Sequence, residues 1–137
     1  MKKTLVMYYS YSGNTKKIAT ELAEKEACEI VEIKDIERPG KFKAYTSGCY
    51  AALKGIAWPI QPLGVNMAEY KLLILLSPVW AGKPTPAFYS VLGMLPHEKR
   101  VEVKMVSASG FSSCEDFVKD IVKCRGSRVV SFETIRA

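Results

Sequence analysis

Leu5-Val6-Met7-Tyr8-Tyr9 followed by Ser10-Tyr11-Ser12-Gly13-Asn14-Thr15 decides the reading of this chain. The first five residues are a near-continuous apolar run, a strand signal. Behind the polar turn, Ile18, Ala19, Leu22 and Ala23 recur at helical spacing, with Lys17, Glu21 and Lys25 four apart on the other side. Strand, turn and helix follow one another without a gap, which is how a parallel-sheet α/β unit begins.

The same alternation continues along the chain. Cys28 to Ile33 reads as a short strand near a sheet edge, and Pro39-Gly40 ends it. Residues 45 to 57 suggest a weak helix interrupted by Gly48 and Gly55. Leu72 to Leu76 is the most continuous apolar strand, so it is expected in the sheet centre. A helix from about Pro86 to Leu95 buries Phe88, Val91, Leu92 and Leu95, and Val101 to Val106 gives a fourth strand. Phe117, Ile121 and Val122 mark a last helix face before a fifth strand, Arg128 to Phe132. Parallel strands need crossovers of about a dozen residues, usually helical, and these cover both faces. The expectation is a three-layer α/β fold in one domain, residues 1–137, with a five-stranded parallel sheet and helices on both faces.

Composition narrows the function. The chain is 48% hydrophobic, and no apolar run approaches the roughly 20 residues of a membrane-crossing helix. The positive amino end passes into a polar turn too early for a cleavable signal, so the expected location is cytoplasmic, with no membrane partner. Cys28, Cys49, Cys114 and Cys124 form no Cys-x-x-Cys pair and His97 is the only histidine, so structural thiols are expected and no metal. Twenty Lys and Arg against fourteen Asp and Glu give a net charge of +6, which attracts anions without choosing among them. Arg38, Lys41, Lys43 and Lys54 lie in a stretch from Arg38 to Ala68 free of carboxylates, a candidate electropositive surface. No recognition-helix pattern or aromatic strand platform accompanies the charge, so nucleic acid is not expected.

Ligands of open parallel sheets lie beyond the carboxyl ends of the strands. Three of those ends carry unusual loops. Ser10, Ser12, Asn14 and Thr15 surround Gly13 at a helix entry, suiting either a helix cap or a phosphate. The loop lacks the Gly-Lys-Ser or Gly-Lys-Thr of a nucleotide P-loop and the spaced glycines of a dinucleotide site. It also lacks a cysteine nucleophile, and Leu76-Ser77 stands where a phospho-acceptor domain would want aspartate. Pro78 and Pro84 stiffen a second loop in which Trp80 is placed either to stack on a flat heterocycle or to pack inward. Ser107-Ala108-Ser109-Gly110 forms a third small polar turn, followed by Phe111.

Ser10-Tyr11-Ser12-Gly13-Asn14-Thr15 resembles the phosphate-loop motif of the flavodoxin family, and Ser77-Pro78-Val79-Trp80-Ala81-Gly82 resembles its first ring loop. The resemblance extends over nearly the whole chain in element order. It implies a flavodoxin-like strand order 2-1-3-4-5 and FMN as cofactor. It further implies that Ser10, Ser12, Gly13, Asn14 and Thr15 hold the phosphate and that Trp80 stacks on the isoalloxazine. Pro78, Val79, Ala81 and Gly82 would complete that loop near N5, and Ser107, Ala108, Ser109 and Gly110 would face the pyrimidine edge. The implied function is electron transfer between redox proteins, the alternative being NAD(P)H-dependent reduction of a quinone or another small acceptor. For either, Arg38, Lys41 and Lys43 are expected to attract an acidic redox protein or the phosphates of a nicotinamide cofactor, unless they form only a solvated surface. Family carriers are typically acidic around the flavin. This chain is basic and places Lys83 after Gly82, where it is expected to favour an anionic reduced flavin.

Overall fold

The computed structural model describes residues 2–137, so Met1, the first residue of the expected domain, lies outside the described residues. Five strands form one parallel sheet: β1 (Lys2–Tyr8), β2 (Glu29–Glu32), β3 (Tyr70–Pro78), β4 (Arg100–Ser107) and β5 (Arg128–Arg136). Their order is β2-β1-β3-β4-β5, every pairing parallel. The central position of β1 and β3 explains their unbroken apolar runs: Leu5, Val6, Met7, Leu73, Leu75 and Leu76 are all fully buried.

Helices cover the two faces unequally. One face carries α1 (Asn14–Glu26), whose Ala19 and Ala23 pack on Val6, Tyr8, Ile74 and Leu76. On the other lie α4 (Pro86–Leu92) and α5 (Glu115–Cys124), which bury Phe88, Val91, Leu92, Val118 and Val122 against Leu5, Leu73, Val101 and Val103. A helical stretch joins them there as α2 (Lys41–Lys43), a π-helical segment (Ala44–Gly48) and α3 (Cys49–Lys54), with the Tyr89 hydroxyl donating to the Ala52 carbonyl at 2.7 Å.

The unequal cover accounts for β4. Val101, Val103 and Met105 face the larger core, while Glu102 and Lys104 alternate with them toward a sheet face that α1 does not reach. Lys104 lies 3.5 Å from Glu133 and 4.0 Å from Glu102. Such alternation is what a sheet covered on one side requires.

Helix α1 ends in a strained residue. Ala27 adopts φ 51, the left-handed conformation usually given to glycine, and the Cys28 amide returns to the Ala23 carbonyl at 2.9 Å. Replacing Ala27 by Gly removes the Cβ clash of that conformation and should stabilise the fold by about 1 kcal/mol. Urea unfolding checks this, and an unchanged or lower midpoint would contradict it.

Candidate functional site

Where β1 leaves the sheet, the chain turns through Ser10–Gly13. Gly13 holds φ 105 as the residue before α1, and its amide donates to Ser10 Oγ at 3.1 Å. No side chain caps α1, and its first turn contains no acid. The first intrahelical bond runs from the Lys17 amide to the Gly13 carbonyl at 3.1 Å, so the amides of Asn14, Thr15 and Lys16 have no helical partner. An open helix end of this kind concentrates positive potential. Asn14 and Thr15, read from sequence as loop, are thus the first residues of the helix.

The segment after β2 braces this turn. Tyr9 donates to Asp35 Oδ2 at 2.5 Å, and Tyr11 donates to the Pro39 carbonyl at 2.9 Å. Arg38 donates to the Tyr11 carbonyl at 2.9 Å while its guanidinium sits 4.2 Å from the Tyr11 ring centre. Arg38 is therefore a strut of the first loop, which separates it from the lysines expected to steer a partner.

Burial pushes the Asp35 carboxyl above its ordinary value of 3.8, against the opposing hydrogen bond from Tyr9 and the charges of Arg38 and Lys43. Burial first, and then the Asp35 bond, push the Tyr9 phenol far up. With its folded pKa raised, Asp35 binds its proton more tightly in the fold than in the unfolded chain. Its contribution therefore falls as pH rises from the ordinary carboxylate range through the raised value. Asp35→Asn should flatten that part of a stability-against-pH curve. An unchanged slope would contradict the assignment.

After β3, Trp80 and Lys83 exchange backbone hydrogen bonds of 2.8 and 3.0 Å around Ala81 and Gly82. Both central residues have positive φ, 52 and 80, the pattern of a two-residue type I′ turn. Holding Ala81 there costs about 1–2 kcal/mol. The turn is tied to the loop after β4: the Ser113 amide donates to the Gly82 carbonyl at 3.0 Å, and Lys83 Nζ donates to the Ser113 carbonyl at 2.9 Å. Lys83 thus reaches toward Ser113 and the Phe117 ring, 5.4 Å from its centre.

The third loop closes on itself. Ser107 Oγ accepts from the Phe111 amide and donates to the Phe111 carbonyl, both at 3.0 Å. Phe111 stays 69% exposed at its rim.

These loops border an open cavity of about 540 Å³, within the range of small-molecule sites. Ser12, Asn14, Thr15, Pro78, Val79, Ala81, Gly82, Ser107, Ala108 and Ser109 line it, as do Val106, Phe111 and Ala137. None of the lining side chains is charged. Ser10, Gly13, Trp80, Lys83 and Gly110 are not among them. Ser10 instead lines a cleft of about 260 Å³ behind the loop, with Asp35 and Arg38. The Trp80 ring packs edge-on against Tyr9 and Tyr11, at 6.2 and 5.6 Å between centres, in a slot that Gly48 leaves open. Val106 and Ala137 carry no local sequence signal; Ala137 arrives because β5 runs beside β4, its amide donating to the Ser107 carbonyl at 2.9 Å.

A larger groove of about 670 Å³ lies at the amino ends of the strands, between the end of α1 and Leu72, Glu102 and Lys104. It is the part of the sheet face beside α1, with Lys104 already paired to Glu133, rather than a convergence of loops. Among the described residues no group of three His, Cys, Asp or Glu is placed to hold a metal ion, and no helix is long and apolar enough to cross a membrane.

A parallel five-stranded sheet with a small-molecule cavity at its carboxyl edge defines the class of doubly wound α/β proteins that bind ligands at a strand-order switch. Neither a family model nor a curated protein matches the chain. Among solved structures it is similar to a flavoprotein from Lactobacillus acidophilus NCFM in complex with FMN, with 24% identity over 98% of this chain and 93% of that one and a TM-score of 0.80. The apo-form of the flavoprotein from the same organism shares 25% identity over 97% and 93% of the two chains, with a TM-score of 0.72. Two-electron reduced flavodoxin from Megasphaera elsdenii shares 18% over 96% and 85%, with a TM-score of 0.58. The chain has the flavodoxin-like fold.

Proposed function

We propose that this chain binds FMN in the cavity at the carboxyl ends of β1, β3 and β4 and serves as an electron-transfer protein. One observation carries the reading: a cavity of about 540 Å³ with no charged side chain in its lining has an uncapped helix end as its positive pole. That donor set suits a phosphate on an otherwise neutral, flat molecule. The amides of Asn14 and Thr15 with the hydroxyls of Ser12 and Thr15 would hold the phosphate. The Ala81–Gly82 turn and Ser107–Phe111 would flank the ring, with Pro78 and Val79 as the apolar floor. When bound, FMN supplies the electron-accepting and electron-donating chemistry, and the protein orients and shields it.

Ser10 would act by fixing the Gly13 amide, Trp80 by supporting the turn from behind, and Gly110 by allowing the third loop its positive φ of 75. A carrier is favoured over an NAD(P)H-dependent reductase because a reductase also needs a pocket that seats nicotinamide over the ring, and this compact chain spends its loops on the cavity itself. The free thiols Cys28, Cys49, Cys114 and Cys124 suit a reducing compartment such as the cytoplasm.

Purified protein incubated with FMN and desalted should retain a flavin absorption spectrum, and the released cofactor should be FMN. Loss of all flavin on desalting would defeat the proposal. Rapid reduction of that preparation by NADPH alone would move it to the reductase class.

A further inference from the structure

We infer that the helical stretch 41–54 is the docking surface for an acidic redox protein, an inference that rests on the proposed electron-transfer role. Phe42 and Tyr45 are 82% and 77% exposed, and Tyr50 and Leu53 are more than half exposed. Positions three, four and three apart share one face of a plain α-helix. The π-helical segment Ala44–Gly48 takes an extra residue into its turn, so these four, spaced three, five and three, fall in one solvent-facing row. The opposite face is made of small residues, Ala44, Gly48, Ala51 and Ala52, which are buried. A Cβ on Gly48 would stand 2.7 Å from the Trp80 ring, so the row sits on the helix that supports the turn lining the cavity.

Lys41, Lys43 and Lys54 are exposed beside the row, and among the described residues none of the three pairs with a carboxylate. No Asp or Glu occurs from Arg38 to Ala68. An apolar centre with a cationic rim is the anatomy of an interface that steers an anionic partner at range and then excludes water locally. A second copy of the chain would bring the same lysines against themselves in a two-fold contact, which like charge opposes. Electron exchange also requires a partner within reach of the cofactor, and the inward face of this helix, at Gly48, packs on Trp80 beside the Ala81–Gly82 turn that lines the cavity.

The test uses FMN-loaded protein reduced with dithionite, mixed with cytochrome c whose lysines have been succinylated to carboxylates, and with the native basic form. Each electron leaving the flavin reduces one ferric haem to ferrous, read as an absorbance change. At low salt the acidic form should be reduced about tenfold or more faster than the basic form, with the difference shrinking as salt screens it. Lys41→Glu/Lys43→Glu/Lys54→Glu should slow the acidic reaction about tenfold. Lys25→Glu/Lys123→Glu/Arg128→Glu, of equal net charge at the amino end of the sheet, should slow it less than twofold. Phe42→Ser/Tyr45→Ser should keep the salt dependence and lower the rate at high salt.

Equal losses in both charge variants would overturn the inference in favour of net charge alone, and unchanged rates would overturn it outright. Sedimentation with vesicles of 70% phosphatidylcholine and 30% phosphatidylglycerol, abolished by the Lys41/Lys43/Lys54 variant while cytochrome rates stay unchanged, would reassign the surface to membranes. Flavin absorbance of each sample is read first. Failure to hold FMN defeats the proposed function, whereas calorimetry of the flavin-free protein with succinylated cytochrome c still decides the surface.

Discussion

Replacing Thr15 by Val should weaken FMN binding by roughly 10- to 150-fold and leave riboflavin binding within about twofold, the equivalent of 1.5–3 kcal/mol for a hydrogen bond to a charged group. Thr15 is 2% exposed on the first turn of α1 and lines the cavity, so its hydroxyl adjoins the unpaired amides of that turn. Valine keeps the bulk and the backbone amide and removes only the hydroxyl. Riboflavin lacks the phosphate and has nothing to lose there. Calorimetric titration with both ligands checks the placement, and equal weakening of the two would argue that Thr15 matters to the fold of the loop instead.

The second large effect is expected at Gly48. In an ordinary helix Gly→Ala stabilises by about 1 kcal/mol, since alanine has less backbone freedom to lose. Here the new Cβ would meet Trp80 Cζ3 at 2.7 Å and Cε3 at 3.1 Å. The indole is hemmed in on its other sides by Tyr9 and Tyr11, so it cannot retreat without disturbing the braced first loop. Overpacking of this kind costs about 1–3 kcal/mol, enough to outweigh the helical gain. Gly48→Ala should therefore lower the unfolding midpoint, shift tryptophan emission and weaken FMN. A midpoint that rises, as helix propensity alone dictates, would show that the slot is not filled by Trp80.

Much of the fold was legible because burial writes itself into local pattern. Leu5–Tyr9 and Leu72–Leu76 read as strands, the second as a central one, because both their faces are covered. The parallel order then brings the loops after Tyr8, Pro78 and Ser107 to one edge whatever their composition. Other boundaries were less visible. Strand β5 runs on to Arg136 beyond the expected Phe132, since Glu133, Thr134 and Arg136 sit in an edge strand that tolerates polar residues. The weak helix predicted over 45–57 begins earlier, at Lys41, because its outward face is apolar and its inward face small, the reverse of the usual amphipathic pattern.

Side-chain directions at the site were the least legible, for a reason common to three residues. Arg38 is bound to Tyr11, 27 positions away, and Lys83 to Ser113, 30 away. Trp80 is turned toward a slot made by Gly48. In each case the partner belongs to another loop, and no spacing within the chain announces it. Lys83→Glu accordingly tests the tie between the second and third loops more than the charge beside the flavin.

Backbone amide NMR during titration with FMN reads out the cofactor's location without any substitution. Shifts should concentrate at residues 12–15, 79–82 and 107–111, with the amides of Asn14, Thr15 and Lys16 moving most and none of comparable size in the groove between α1 and Glu102. Shifts centred on residues 22–29 and 102–104, with the loops after β1, β3 and β4 unmoved, would contradict it.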